Sequence, residues 1–175
     1  MTTNGAQPVY IAGVAETPLG RVTEHSELGM IAIASREALA EAGMTYRDVD
    51  GLFVHQLGTE GSVQAGEYLG IQPRYADSTD IGGASFAAFV HHAMLAVASG
   101  ACEVALITHA SRQRTRGRQG RHPTSLSTQF EQPYKLPSPL GLYALIAARH
   151  MHQYGTTPEQ LAAVAVTARK WAQLN

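Results

Sequence analysis

Short apolar runs alternate with helical patterns along the first hundred residues of this 175-residue chain. Gly51–His55 reads GLFVH, a run with the length and composition of a strand that is buried on both faces. Residues 26–42 carry apolar side chains at spacings of three and four and stop before Gly43, which is typical of an amphipathic helix. Parallel strands need crossover connections, which helices supply, so the alternation predicts an α/β fold with a mainly parallel sheet and helices on both faces.

The same patterns predict four strands and five helices. The predicted strands are residues 8–14, 51–55, 75–81 and 103–108, and the predicted helices are residues 26–42, 62–69, 84–99, 140–154 and 158–174. The helix at 84–99 is apolar around most of its circumference, which predicts burial between other elements. Residues 109–139 hold four prolines and five arginines without a clear period, and they predict an irregular excursion over the carboxyl end of the sheet.

Composition excludes several classes of function. With 45% hydrophobic and 15% charged residues the chain can bury a core, and its net charge of −1 creates no general attraction to nucleic acid or anionic lipid. The one cysteine, Cys102, cannot form an internal disulfide or a zinc site of several thiolates. The N-terminus does not resemble a signal peptide, and no apolar run reaches 18 residues. We therefore expect a cytoplasmic protein that binds neither nucleic acid nor membrane.

A glycine-containing turn separates the third predicted strand from the apolar helix. Gly82, Gly83, Ala84 and Ser85 fall at the carboxyl edge of the sheet, where open α/β folds bind ligands. The first N–H groups of a helix lack intrahelical acceptors, and glycines allow a substrate carbonyl to approach the main chain. We predict substrate binding by these four residues. A tight turn without chemical function is the alternative.

Ser85 and several histidines are further candidates. Gly83-Ala84-Ser85 is similar to a nucleophile elbow, which leaves a serine hydrolase using Ser85 as a lesser alternative, although the preceding residues are too polar for the usual buried strand. His55 and His109 each follow or end a predicted strand, so they either contact substrate or form structural hydrogen bonds. The remaining histidine pairs, at 91–92 and 150–152, lack the spacing of helical metal ligands, and no metal site is predicted.

Several segments together resemble a known family. They are IAGVAETPLG, EALAEAG, DVDGLFV, AMLAVASGACEVALI and the long stretch YALIAARHMHQYGTTPEQLAAVAVTARKWAQLN. Their order is similar to the N-terminal half of thiolase-like proteins, nearest to the sterol-carrier and lipid-transfer thiolase branch. The resemblance implies a thiolase-type α/β half with part of an inserted loop domain. It also implies domains at 1–108 (core), 109–155 (loop-domain excursion and helix) and 156–175 (a helix leading to a C-terminal half).

The resemblance also implies a particular reaction. Thiolases carry a nucleophilic cysteine 17 residues before the glycine that ends the buried helix, and counting back from Gly100 reaches Gly83, so the nucleophile is absent. Steroid side-chain aldolases, which also lack this cysteine, cleave β-hydroxyacyl-CoA by retro-aldol chemistry. An acyl-CoA substrate, no cofactor beyond its coenzyme A, and catalytic acid–base residues in the C-terminal half are implied. A non-catalytic acyl-CoA-binding or structural subunit is the alternative.

Arginines crowd the predicted excursion. They are Arg112, Arg114, Arg116, Arg118 and Arg121. Their guanidinium groups suit the phosphates of coenzyme A, although a solvated basic loop is an equal alternative and RNA binding a weak one. The resemblance further implies a homodimer or a complementary C-terminal half as partner, with an OB-fold acyl-CoA-associated protein as a further partner.

Overall fold

The computed structural model describes residues 8–55, 57, 60–116, 126–135 and 140–174, which divide into two compact units, one within 1–119 and one within 120–175. The first unit contains α1 (Glu27–Glu41), β1 (Gly51–His55), α2 (Gly61–Leu69), β2 (Tyr75–Asp77), α3 (Ser85–Ala98), β3 (Ala105–His109) and α4 (Gln113–Arg116). A 3-10 turn at Tyr46–Asp48 precedes β1. The second unit contains α5 (Leu126–Glu131), a 3-10 turn at Gln132–Tyr134, α6 (Leu140–Tyr154) and α7 (Pro158–Ala172).

The three strands form one parallel sheet in the order β2-β1-β3. Gly51 of β1 lies opposite Tyr75 of β2 and Ala105 of β3, and His55 lies opposite His109. Successive side chains of a strand point to opposite faces, so β1 and β3 place residues of the same parity on the same face. The predicted parallel α/β architecture is confirmed.

Helices cover both faces of this sheet. On one face Leu52, Val54 and Leu106 pack in a core with α1 and α2. On the other face Phe53 packs with Phe89 of α3 and with the buried Cys102. The Phe53 and Phe89 rings meet edge to face, with centroids 6.0 Å apart. Each core therefore depends on alternate residues of the central strand.

Asp50 fixes the amino ends of the strands to one another. Its Oδ1 accepts hydrogen bonds of 2.8 Å from the main-chain N–H groups of Glu103 and Val104, which lead into β3. Its carbonyl accepts main-chain bonds from Arg74 and Tyr75, at the start of β2. A single aspartate before β1 thus contacts the chain that enters both neighbouring strands, a role that the sequence analysis missed.

The predicted strand at 8–14 is wrong. No regular structure is assigned to it, and Tyr10, Ile11 and Val14 are each at least 75% exposed. The main-chain N–H of Val14 donates to the Glu41 carboxylate of α1, and a Cβ at Gly13 would collide with the Ala38 carbonyl oxygen. The end of this segment therefore lies along α1. Its apolar sequence predicts burial but does not show whether another strand is available to pair with it.

The other predicted elements differ mainly at their ends. The third strand stops at Asp77, because Asp77 Oδ1 accepts hydrogen bonds from both N and Oγ1 of Thr79 and turns the chain. The fourth begins at Ala105 and includes His109. Ser26 and Thr157 cap α1 and α7 through their hydroxyls, as the sequence predicted. The 109–139 stretch includes the short helices α4 and α5.

Helix α3 is buried on one face only. Ser85, Phe89, Ala93 and Ala96 are buried, but the opposite face exposes apolar residues. Those residues include Val90, Met94 and Leu95, each about half exposed at 43–51%. Within the first unit the prediction that this helix is enclosed between elements is therefore wrong, because no described element of that unit covers the second face.

The second unit consists of helices with no buried residue in α6 or α7. Both helices carry large exposed apolar side chains, such as Tyr143, Ile146 and Trp171. Within the described ranges, no helix has the length and apolar character needed to cross a bilayer.

Candidate functional site

Two histidines meet at the carboxyl edge of the sheet. His55 ends β1 and His109 ends β3, and as register partners they place their rings on the α3 face with centroids 5.5 Å apart. Phe86, in the first turn of α3, lies 5.1 Å from each of the two rings, edge-on. The structure thus brings both predicted histidines to the start of α3, beside the glycine-containing turn.

The two imidazoles differ in their surroundings. His55 is 2% exposed, and its Nδ1 is buried without a hydrogen-bond partner in the described structure. His109 is only partly buried, and its Nδ1 lies 3.2 Å from the main-chain oxygen of His55. His55 is therefore a buried ring whose Nδ1 no described residue hydrogen-bonds, whereas His109 is a more accessible ring whose orientation is fixed by a main-chain oxygen.

Two side chains and one glycine shape the turn before α3. The carboxylate of Asp80 accepts a 3.0 Å hydrogen bond from the Gly82 N–H. The hydroxyl of Ser85 accepts a 2.9 Å bond from the Ile81 N–H and donates a 2.7 Å bond to the Gly82 carbonyl. Gly82 has φ +73°, a left-handed conformation that favours glycine. The turn is consequently fixed by local hydrogen bonds.

Gly83 lies at the open side of this turn. A Cβ built there meets no heavy atom within 4 Å, and Gly82, Gly83 and Ala84 are all exposed. The N–H groups of Phe86 and Ala87 follow it, before the first regular helical bond from Ala88 to the Ala84 carbonyl. A ligand can approach these N–H groups from the side of Gly83, so the predicted binding role of the turn stays a prediction with suitable geometry.

Ser85 does not have the geometry of a nucleophile. Its side chain is 0% exposed, and its hydroxyl is engaged as both donor and acceptor within the turn. The serine hydrolase alternative is wrong on this geometry, because a nucleophile needs an accessible oxygen and a base within hydrogen-bond reach. Any contact of Ser85 with substrate is limited to its main chain.

Cys102 cannot replace the missing thiol. It is 1% exposed and packs against Gly51 at the far end of the sheet, where a Cβ on Gly51 would lie 2.7 Å from its Sγ. Burial, together with the negative charge of Asp50, raises the pKa of the Cys102 thiol. A buried thiol of raised pKa is inert, as the sequence analysis expected.

The arginines are only partly described. Arg112 follows β3 and is partly buried, and its Nε is buried without a partner in this part of the structure. Arg114, in α4, is exposed. The side chain of Arg116 and the whole of Arg118 and Arg121 lie outside the described residues. Contact with coenzyme A phosphates stays a prediction.

Asp77 and His92 form a hydrogen-bonded pair that sequence reasoning did not identify. His92 Nδ1 of α3 lies 2.6 Å from Asp77 Oδ2 at the end of β2. Burial favours the neutral form of Asp77, but hydrogen bonds from Thr79 and His92 outweigh it and hold the pKa of Asp77 below its ordinary value. The pair ties the strand that precedes the glycine-containing turn to the helix that follows it.

Changing Asp77 to Asn should destabilise the fold by about 1.5–3 kcal/mol at pH 7, the usual contribution of a hydrogen bond to a charged group. A folded-state pKa below the unfolded one stabilises the protein above about pH 4 and ceases to do so as the pH falls through the folded value. The difference in the free energy of unfolding between the wild type and D77N should therefore become smaller at acidic pH. Urea unfolding from pH 7 to 3 measures it.

Replacing the exposed Glu37 by Gln is the matched control, expected to change the free energy of unfolding by less than about 0.5 kcal/mol. A D77N deficit that persists unchanged at pH 3 would contradict the assignment of the stabilising charge to Asp77.

Among the residues that the structure describes, no three His, Cys, Asp or Glu side chains converge closely enough to hold an ion.

The chain is similar to known proteins in both sequence and structure. The sequence is 33% identical to the 17-hydroxy-3-oxo-4-pregnene-20-carboxyl-CoA lyase of Mycobacterium tuberculosis, over 94% of this chain and 45% of the relative. It is 31% identical to a steroid side-chain-cleaving aldolase of Thermomonospora curvata, with the same coverage. No family model matches the sequence. Among solved structures, the Ltp2-ChsH2(DUF35) aldolase superposes with a TM-score of 0.74 at 30% identity, over 84% of this chain and 38% of that one.

The predicted resemblance to thiolase-like proteins is confirmed. The chain spans a little under half the length of the curated relatives it matches. The superposition covers most of the chain, so the chain shares its fold with part of a solved aldolase.

Proposed function

We propose that this thiolase-like chain is part of an enzyme that acts on a carbon–carbon bond of an acyl-CoA, by aldol or retro-aldol chemistry rather than thiolysis. The observation that carries the proposal is Gly83, a glycine in open space where the resemblance implies a nucleophilic cysteine. Without a thiol at this position no acyl-enzyme forms there. Relatives named as a lyase and an aldolase support the same class of reaction.

Retro-aldol cleavage has two chemical requirements, and the turn suits one of them. A base must take the proton of the β-hydroxyl, and the negative charge that develops on the thioester oxygen must be stabilised. The N–H groups at the start of α3, beside Gly82 and Gly83, favour an anion because the helix dipole is positive at this end. The reaction needs no cofactor beyond the coenzyme A of the substrate.

The exposed face of α3 supports a partner. Val90, Met94 and Leu95 form an exposed apolar face of the helix. The chain also covers less than half the length of its curated relatives. We propose that a complementary C-terminal half covers this face, with a homodimer as the further level of assembly. The name of the solved aldolase joins Ltp2 to ChsH2(DUF35), which supports a second component such as an OB-fold acyl-CoA-associated protein. We further propose that the protein is located in the cytoplasm.

Incubation with β-hydroxyacyl-CoA tests the function. The chain is purified with and without candidate C-terminal-half and OB-fold partners, and mass spectrometry follows the products. The expected result is a shortened acyl-CoA and a carbonyl compound in equal amounts, with the mass of the chain unchanged. Coenzyme A binding without turnover in any assembly would favour the non-catalytic alternative, and an acylated chain would contradict the absence of a covalent step.

Changing Gly83 to Cys should create a reactive thiol without disturbing the fold, since a Cβ at this position meets nothing within 4 Å. Iodoacetamide should label the variant at least about tenfold faster than wild type, whose one thiol is buried. Intact mass measured over time gives both rates, and Gly83→Ser controls for the added side chain. Equal labelling of wild type and G83C would show that Cys102 is accessible or that Gly83 is covered.

A further inference from the structure

The His55–His109 pair carries a more specific inference about the substrate. The two residues are register partners at the ends of β1 and β3, and Phe86 of α3 contacts both rings. This arrangement fixes His109 beside the first turn of α3. His109 is also the more exposed of the two histidines, so its ring is the one that a ligand at the turn can reach.

The main chain determines which nitrogen of His109 carries the proton. Nδ1 lies 3.2 Å from the carbonyl oxygen of His55, and a carbonyl oxygen can only accept a hydrogen bond, so Nδ1 is the donor. A neutral imidazole has one donor and one acceptor nitrogen. Nε2 of neutral His109 is therefore an acceptor, and it has no hydrogen-bond partner among the residues described.

His55 gives an independent indication that a polar group is missing at this edge. Its ring is 2% exposed, and Nδ1 is buried with no partner in the described structure. Buried polar atoms are nearly always hydrogen-bonded, because leaving one unpaired is costly. Two neighbouring imidazoles at the same end of the sheet thus hold nitrogen atoms that no described residue hydrogen-bonds.

We propose that His109 is a specificity-determining residue, whose Nε2 accepts a hydrogen bond from a hydroxyl group on the acyl chain of the substrate. A hydroxyl can donate to Nε2, whereas a ketone oxygen can only accept and would face the lone pair of Nε2. The site therefore favours hydroxyacyl thioesters over saturated and oxoacyl ones. This inference rests on the proposed function, because it takes the substrate to be an acyl-CoA.

Calorimetric titration of the purified chain, alone and together with the candidate C-terminal-half and OB-fold partners, tests the inference with three probes: 3-hydroxybutyryl-CoA, butyryl-CoA and acetoacetyl-CoA. Wild type should bind the hydroxy compound about three- to tenfold more tightly than the saturated one, as expected for one neutral hydrogen bond. His109→Phe should remove this preference, and His109→Gln should retain part of it through its amide oxygen. His91→Phe, an exposed position on α3, is the matched control and should leave the preference unchanged.

The outcomes separate the inference from the function on which it rests. If wild type binds none of the three thioesters, the acyl-CoA function fails and the inference fails with it. If wild type binds all three but shows no preference for the hydroxyl, or if the preference survives in H109F, the inference alone is overturned. Thermal melting of each variant, followed by circular dichroism, identifies any that do not fold, and H109Q then decides.

Discussion

Replacing Leu52 by Ala should lower the free energy of unfolding by about 2–5 kcal/mol, the range for truncating a large buried aliphatic side chain. Leu52 is 0% exposed and lies in the central strand, within the core that α1 and α2 cover. The substitution removes apolar contacts and leaves a cavity that the strand, bonded on both sides, cannot close. Urea denaturation followed by circular dichroism gives the difference.

Leu19→Ala is the matched control, since the same side chain is 86% exposed there. Its effect should stay below about 0.5 kcal/mol, as for most surface substitutions. Similar losses at both positions would contradict the assignment of Leu52 to the core.

Changing Arg112 and Arg114 together to Ala should weaken coenzyme A binding by about 1.5–3 kcal/mol for each charged hydrogen bond lost, or roughly ten- to 150-fold for each. The expected reason is contact between their guanidinium groups and the phosphates of coenzyme A. Wild-type affinity should also fall as salt is added, and less so for the double variant. Titration calorimetry at two salt concentrations measures both effects.

Arg36→Ala provides the control, because Arg36 is an exposed arginine on α1. Unchanged affinity in the double variant, with a lower melting temperature, would mean that the arginines pair with acidic groups instead. Equal losses of affinity for coenzyme A and dephospho-coenzyme A would indicate that the arginines contact the pyrophosphate rather than the 3′-phosphate.

The sequence predicts strands well where both neighbours of the strand lie within the chain. The strand Gly51–His55 has the ends that its short apolar run predicts. In the structure it lies at the centre of the sheet and is hydrogen-bonded to β2 on one side and to β3 on the other. The run at 8–14 has the same apolar composition but no ladder in the described structure. Hydrophobic pattern reports the tendency to be buried, whereas a strand also requires a partner, which pattern alone does not reveal.

The candidate site was only partly predictable for a related reason. His55 and His109 could be placed at one edge because parallel strands share their carboxyl end, and the register then pairs them. The hydrogen bonds of Ser85, the contact of Asp77 with His92 and the contacts of Asp50 depend on side-chain directions that spacing does not encode. The tautomer of His109 follows only from the distance between its Nδ1 and the main-chain oxygen of His55.

The contacts of Asp50 have a consequence for how such a chain can diversify. Asp50 contacts the segment entering β3 through its carboxylate and the segment entering β2 through its main-chain carbonyl, so the alignment of the strands is set about a strand's length away from the edge where ligands bind. Residues at the opposite edge, such as Gly83 and His109, are then free to change without altering the alignment beneath them. Libraries that vary the binding edge while preserving Asp50 should yield folded proteins with altered substrate preference.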